Sequence, residues 1–175
     1  QQSPDFKQLA GEAYYFRAWY YYGLLVNYGP VSIVEQPLNP DAGEMEPYNK
    51  RDARTKVADF IISDLKKAIE NLSEKNNSAS MRIHRDVARA LMSEVALFES
   101  TWEKYHKGTK FADPTCTDAK IKEYLQTAAD AAKAVMDRGV WKIYSSGNPL
   151  NDYRVVFATT DLGSNPEILW YKKYD

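Results

Sequence analysis

Between Tyr14 and Tyr28 the chain places eight aromatic side chains in fifteen residues: Tyr14, Tyr15, Phe16, Trp19, Tyr20, Tyr21, Tyr22 and Tyr28. From just before this stretch and into it run Leu9, Ala13, Phe16, Tyr20 and Leu24 at three- and four-residue spacing, the stripe of an amphipathic helix. Successive helical positions point about 100° apart, so one face cannot bury all these rings. The helix must be covered on two sides, or one side must meet a partner. Packing between neighbouring helices is the favoured reading, and a platform stacking on sugar faces is the alternative.

Helical boundaries are marked along the rest of the chain. Ser3, Pro4 and Asp5 suit a helix start, and Gly29-Pro30 a stop. Residues 31–50, with Pro37, Pro40, Gly43 and Pro47, read as an irregular loop. A second helix, capped by Asp52, presents Val57, Ile61, Leu65, Ala68 and Leu72, and ends in the polar turn 73–80. A third presents Val87, Leu91, Val95, Phe98, Trp102 and Tyr105 before Gly108. A fourth presents Ile121, Leu125, Ala128, Ala132 and Val135 and stops at Arg138-Gly139. Beyond residue 140 the helical signal fades. Trp141–Tyr144 alternates, Tyr153–Phe157 suits a helical turn or a strand, and Glu167–Tyr171 resembles a strand lacking a nearby partner. The fold class is therefore mainly all-α, with antiparallel helix pairs and short irregular or strand segments after residue 140. Periodicity alone does not separate a tetratricopeptide-like arrangement from a plain bundle.

Composition narrows the function classes. With 23 Lys and Arg against 24 Asp and Glu, the net charge of −1 gives no reason to expect nucleic acid or an anionic membrane surface as partner. No apolar stretch approaches the ~18 residues of a membrane-spanning helix. One cysteine, Cys116, excludes a disulfide framework within the chain and a multi-cysteine metal site, and it lacks a flanking histidine. His84 and His106 stand 22 positions apart, outside any metal-ligand spacing, and sit near the two ends of the third helix. No GxSxG, GxxxxGK[ST] or GxGxxG motif occurs. Glu99 and Glu103 share a helical face, as a glycosidase pair would, but Glu103 also stands four residues before Lys107, the spacing of a surface ion pair. The reading is no catalytic residue, no cofactor and no metal.

The run Gly11-Glu12-Ala13-Tyr14-Tyr15-Phe16-Arg17-Ala18-Trp19-Tyr20-Tyr21, with Leu24 and Tyr28-Gly29-Pro30-Val31, resembles the SusD/RagB family. Four further blocks follow in the family's order: residues 60–69 with Leu72, 88–98, 131–135 with Gly139-Val140-Trp141, and Asn165-Pro166-Glu167-Ile168-Leu169-Trp170. Tyr14 replaces a commonly basic residue, and residues 81–87 depart from the usual Gly-Arg-x-Thr-Lys-Gly-Ala start of the third helix.

The resemblance implies a single SusD-like domain over residues 1–175, forming part of a longer protein built on tetratricopeptide-like helix pairs in a right-handed superhelix. It implies a non-catalytic, lipid-anchored protein at the outer-membrane surface of Bacteroidetes. Such a protein would capture oligosaccharide or another nutrient and deliver it to a TonB-dependent, SusC-like transporter. Cys116 does not stand where the family's lipid-bearing cysteine would. No ligand residue transfers by motif, so loop 31–50, with Tyr48 and Asn49, is the weak candidate for ligand contact. The alternatives are an intracellular tetratricopeptide-like interaction scaffold, which a signal peptide and lipid-attachment cysteine in the parent gene would exclude, and a carbohydrate-active enzyme using Glu99 or Glu103.

Overall fold

The computed structural model describes residues 3–39, 48, 50–75 and 77–173. Among them the fold is all-helical, with no strand: α1 (Pro4–Tyr28), α2 (Arg54–Asn71), α3 (Arg85–His106), α4 (Asp118–Met136) and α5 (Pro149–Ala158). The start of α1 is built as read, with the Ser3 side chain accepting from the Phe6 N–H and Pro4 in the first turn. Cross-helix pairs fix the directions. Gly11 meets Leu72, Arg17 meets Asp64, and the Leu25 carbonyl meets Arg54, so α1 and α2 run antiparallel. Asp86 with Arg138, Ser93 with Ala128 and Lys107 with Asp118 set the same relation between α3 and α4. Arg54 with Glu99, and Ser73 with Arg85, set it between α2 and α3. The chain is thus a row of helix hairpins in which α1 scarcely touches α3.

The α2 stripe is buried as read, from Val57 to Leu72. The α1 stripe is inverted: Leu9, Ala13, Phe16, Tyr20 and Leu24 all face outward, and the buried set is Gly11, Tyr15, Ala18 and Leu25. Small residues decide this. A Cβ on Gly11 would stand 2.8 Å from Leu72 Cγ and 3.0 Å from its backbone nitrogen, so α1 approaches α2 most closely along its smallest side chains. The aromatic run divides accordingly. Tyr15 is buried and Tyr14, Tyr21 and Tyr22 are half-buried, while Phe16, Trp19, Tyr20 and Tyr28 are exposed. In α4 the buried face lies at Tyr124 and Ala131 rather than at Leu125 and Ala132, and in α3 Tyr105 is exposed.

Asp52 does not cap α2. Its carboxylate accepts from the Ile33 N–H and from Lys56, and the position before the helix is Ala53. Capping comes instead from Asp113, 58 residues away, whose Oδ2 accepts from the Thr55 N–H at 3.4 Å and the Thr55 hydroxyl at 2.5 Å. After residue 140 neither strand-like run becomes a strand. Tyr153–Phe157 lies within α5. Glu167–Tyr171 is irregular: its Leu169 carbonyl accepts from His84 Nε2 at 2.7 Å, and its Trp170 indole donates to the Met81 carbonyl.

Candidate ligand-binding site

Where α1 ends and α2 begins, the chain builds its most densely interlinked buried charges. Arg54 projects from the first turn of α2 and is buried. Its Nε donates to Glu99 Oε2 at 3.0 Å and its Nη1 to the Leu25 carbonyl at 3.3 Å, closing the α1 C-terminus. Its guanidinium lies 4.3 Å from the centre of the Trp102 ring and 5.6 Å from that of Phe98. Glu103 stands 3.9 Å from the same guanidinium and accepts the Asp113 N–H with both oxygens. Arg54, Glu99, Glu103 and Asp113 therefore join α1, α2, α3 and the 107–117 segment.

Glu99 and Glu103 face one guanidinium with Asp113 beside Glu103, and the proton affinities of the three acids diverge. Burial pushes Glu99 up to about 7, against the pull of Arg54. Burial also raises Glu103. For Asp113 burial acts in the same direction, but the hydrogen bonds from Thr55 and Thr115 outweigh it and hold the carboxyl below its ordinary range. Glu103 does not form the surface pair with Lys107, which reaches Asp118 instead at 2.5 Å. Glu99 is 0% and Glu103 1% exposed, so neither carboxyl reaches a polysaccharide as a glycosidase acid or nucleophile must.

A cavity of about 420 Å³ opens above this cluster, within the usual range of small-ligand clefts. Arg54 and Asp113 form its charged base, and Tyr28, Trp102 and Phe111 supply aromatic surface. Asn27 and Lys110 add polar groups. Apolar ring faces beside amides and charges are what a hydroxyl-rich ligand requires, because a sugar has apolar C–H faces and polar edges. A larger hollow of about 730 Å³ lies beneath α5, but its walls are mainly apolar, among them Ile143, Tyr153 and Phe157.

Loop 31–50 springs from the rim of the first cavity, since Pro30 and Ala53 both line it. The loop's two arms are zipped at the neck: Ser32 Oγ donates to the Tyr48 carbonyl at 2.8 Å, and the Asp52 N–H to the Val31 carbonyl. The Tyr21 hydroxyl accepts from the Val34 N–H at 2.7 Å and ties the neck to α1. Tyr48 is half-buried at this neck; Asn49 lies outside the described residues, as do Pro40, Gly43 and Pro47. The cavity residues Arg54, Trp102, Phe111 and Asp113 escaped sequence reading because they come from three separate segments.

The remaining candidates take structural positions. His84 is buried at the start of α3, stacked on Trp141, and burial lowers its proton affinity. His106 ends α3, its Nδ1 facing the Trp102 carbonyl at 2.9 Å. Burial, with acidic neighbours, pushes the Cys116 thiol up to about 11, which makes it a poor nucleophile. Among the described residues no three His, Cys, Asp or Glu side chains converge as a metal site requires, and no helix is long and apolar enough to cross a membrane.

Comparison with known proteins gives one family and several solved structures. The SusD-like family model described as starch-binding and associating with the outer membrane matches residues 1–97. A SusD-like protein of Bacteroides fragilis aligns over 100% of this chain and 29% of its own length, with 23% identity and a TM-score of 0.70. A laminarin-binding SusD-like protein aligns over 77% of this chain and 24% of its own, with 21% identity and a TM-score of 0.53. A structure containing a xylogluco-oligosaccharide aligns over 82% and 26%, with 23% identity and a TM-score of 0.59. The chain thus spans under a third of the length of each. No curated protein matches the sequence.

Proposed function

The chain belongs to the SusD-like family, and we propose that it forms the helical scaffold of a non-catalytic protein that captures oligosaccharide at the cell surface. In this reading residues 1–175 are one domain of a longer, lipid-anchored outer-membrane protein. That protein hands its ligand to a TonB-dependent transporter. The observation that carries the reading is the family match over residues 1–97, which covers α1, α2 and α3 as far as Leu97. Burial of Glu99 and Glu103 supports binding over hydrolysis. We assign the scaffold's share of ligand contact to the cavity above Arg54, with Tyr48 and Asn49 proposed as further ligand contacts from loop 31–50.

Calorimetric titration of the full-length protein with laminarin and xylogluco-oligosaccharides tests this. Saturable heat with at least one glycan, reduced tenfold or more by Tyr28→Ala, is the expected result. Flat titrations across a wide glycan panel overturn glycan capture, and unchanged affinity in Tyr28→Ala overturns the assignment of the cavity. Delivery is tested by co-purification with the product of an adjacent transporter gene; absence of such a gene counts against it.

A further inference from the structure

Phe98, Trp102 and His106 recur at four-residue steps along α3, so their side chains form one column on the helix surface. Trp102 stands in the middle of it. His106 stacks on the indole from the C-terminal side, with ring centres 4.1 Å apart and 23° between the planes. On the side of Phe98, the Arg54 guanidinium lies 4.3 Å from the Trp102 ring centre. The protein thus occupies both faces of Trp102, which leaves only its edge for the cavity it lines. The indole has one polar atom, Nε1, which can only donate, and it donates to the Phe111 carbonyl at 3.0 Å.

That bond falls in the middle of an irregular rim. One end of the rim is held by Thr109, whose N–H and hydroxyl both donate to the His106 carbonyl. The other end is held by Asp113, whose N–H donates to Glu103. Phe111 lies between them, 57% exposed, edge-on to His106 and with the Lys110 ammonium 5.3 Å from its ring centre. An apolar ring beside a cationic donor suits a sugar, but a ring on an irregular segment binds only as well as that segment is held.

We propose that Trp102 is the positioning residue of this cavity: it does not stack on the ligand, and its N–H holds the 109–113 rim so that Phe111, with Tyr28, presents the ring surface a sugar meets. This inference rests on the reading of the cavity as the scaffold's ligand contact. Tyr28 needs no such support, since it is the last residue of α1.

The test uses Trp102→Phe in the full-length protein, which keeps an aromatic ring in the column and removes the donor. Amide hydrogen exchange is read first, without glycan. Residues 109–113 should exchange about fivefold faster or more, while residues 85–98 of α3 stay unchanged. Unchanged exchange in the rim overturns the proposal. Acceleration through all of α3 also overturns it, because Trp102 would then serve the packing of the bundle. Calorimetric titration follows, with Phe111→Ala as a second background. Trp102→Phe should weaken glycan binding roughly fivefold in the wild-type background and less than about twofold once Phe111 is replaced, because it acts through that ring. Equal losses in both backgrounds would show the indole itself meeting the sugar, and no loss in either would show that the rim takes no part; both overturn the proposal. Flat wild-type titrations overturn glycan capture, and the exchange measured without glycan still decides whether Trp102 holds the rim.

Discussion

The two ends of α3 bury charge in opposite ways. At the N-terminal end, Asp86 accepts from Arg89 at 2.8 Å, from Arg138, and from the Trp141 indole at 2.7 Å. One carboxylate there faces two guanidinium groups and sits in the first helical turn, where the dipole favours it. Near the C-terminal end, Glu99 and Glu103 share one guanidinium, with Asp113 adjacent, and the dipole opposes them. The first cluster is a lock whose charge is satisfied. The second carries an excess of acid, which it accommodates by raising the proton affinity of Glu99. Asp86 and Glu99 stand about 20 Å apart along the helix.

The largest expected effect breaks the lock. Asp86→Ala leaves Arg138, Arg89 and the Trp141 indole without their shared acceptor, and breaking a buried pair in this way costs about 3–5 kcal/mol. Urea denaturation at pH 7 should show it, together with release of the 138–141 segment from α3 as read by tryptophan fluorescence. A loss below about 1 kcal/mol would show that the two ends do not differ as described.

Arg54→Met comes next. It removes the guanidinium that bridges Glu99 and Glu103 and leaves the Leu25 carbonyl with the Gly29 N–H alone, a loss of about 2–4 kcal/mol at pH 8. At pH 5 Glu99 takes up its proton, so the loss should fall. A pH-independent loss would place the role of Arg54 in its packing against Trp102 and Phe98 alone.

Glu99→Gln isolates the proton. A carboxyl whose proton affinity is raised by folding stabilises the folded state fully below its unfolded value, and that contribution disappears as pH climbs towards about 7. The wild-type protein should therefore lose about 1–3 kcal/mol from this group between pH 4.5 and 7, and the Gln variant should not. The difference between the two pH–stability profiles, which cancels opposing groups such as Asp113, measures it. Parallel profiles would show that Glu99 is ionised throughout.

These contrasts show which parts of the fold were legible in the sequence. Helix stops at Gly29, Gly108 and Gly139 are local, and all three glycines adopt positive φ. The stripe of α2 follows from apolar period alone. In α1 the same period was present twice, and size pointed the wrong way: Phe16 and Tyr20 suggest a core, but Gly11 and Ala18 make the close contact. Asp52 had the chemistry and position of a cap, while Asp113 supplies it through tertiary structure. The spacing of Glu103 to Lys107 was equally local and equally misleading, because the Asp113 amide draws Glu103 inward. The cavity needs Arg54, Trp102 and Phe111 brought together from positions up to 57 residues apart, which no local pattern encodes.

Lys107→Ala is the smallest expected effect and the sharpest check on the acid-rich end. If Lys107 neutralised Glu103, its removal would destabilise the protein most above pH 7 and would steepen the fall in stability that Glu99 causes. In the structure Lys107 reaches out to Asp118, where both side chains are more than half exposed. An exposed pair of this kind contributes about 0–1 kcal/mol, screened by salt. The variant should therefore lose under 1 kcal/mol, lose less in 0.5 M NaCl, and keep the wild-type pH profile. A profile changed in slope would place Lys107 within the Arg54 cluster and remove the charge imbalance that separates the two ends of α3.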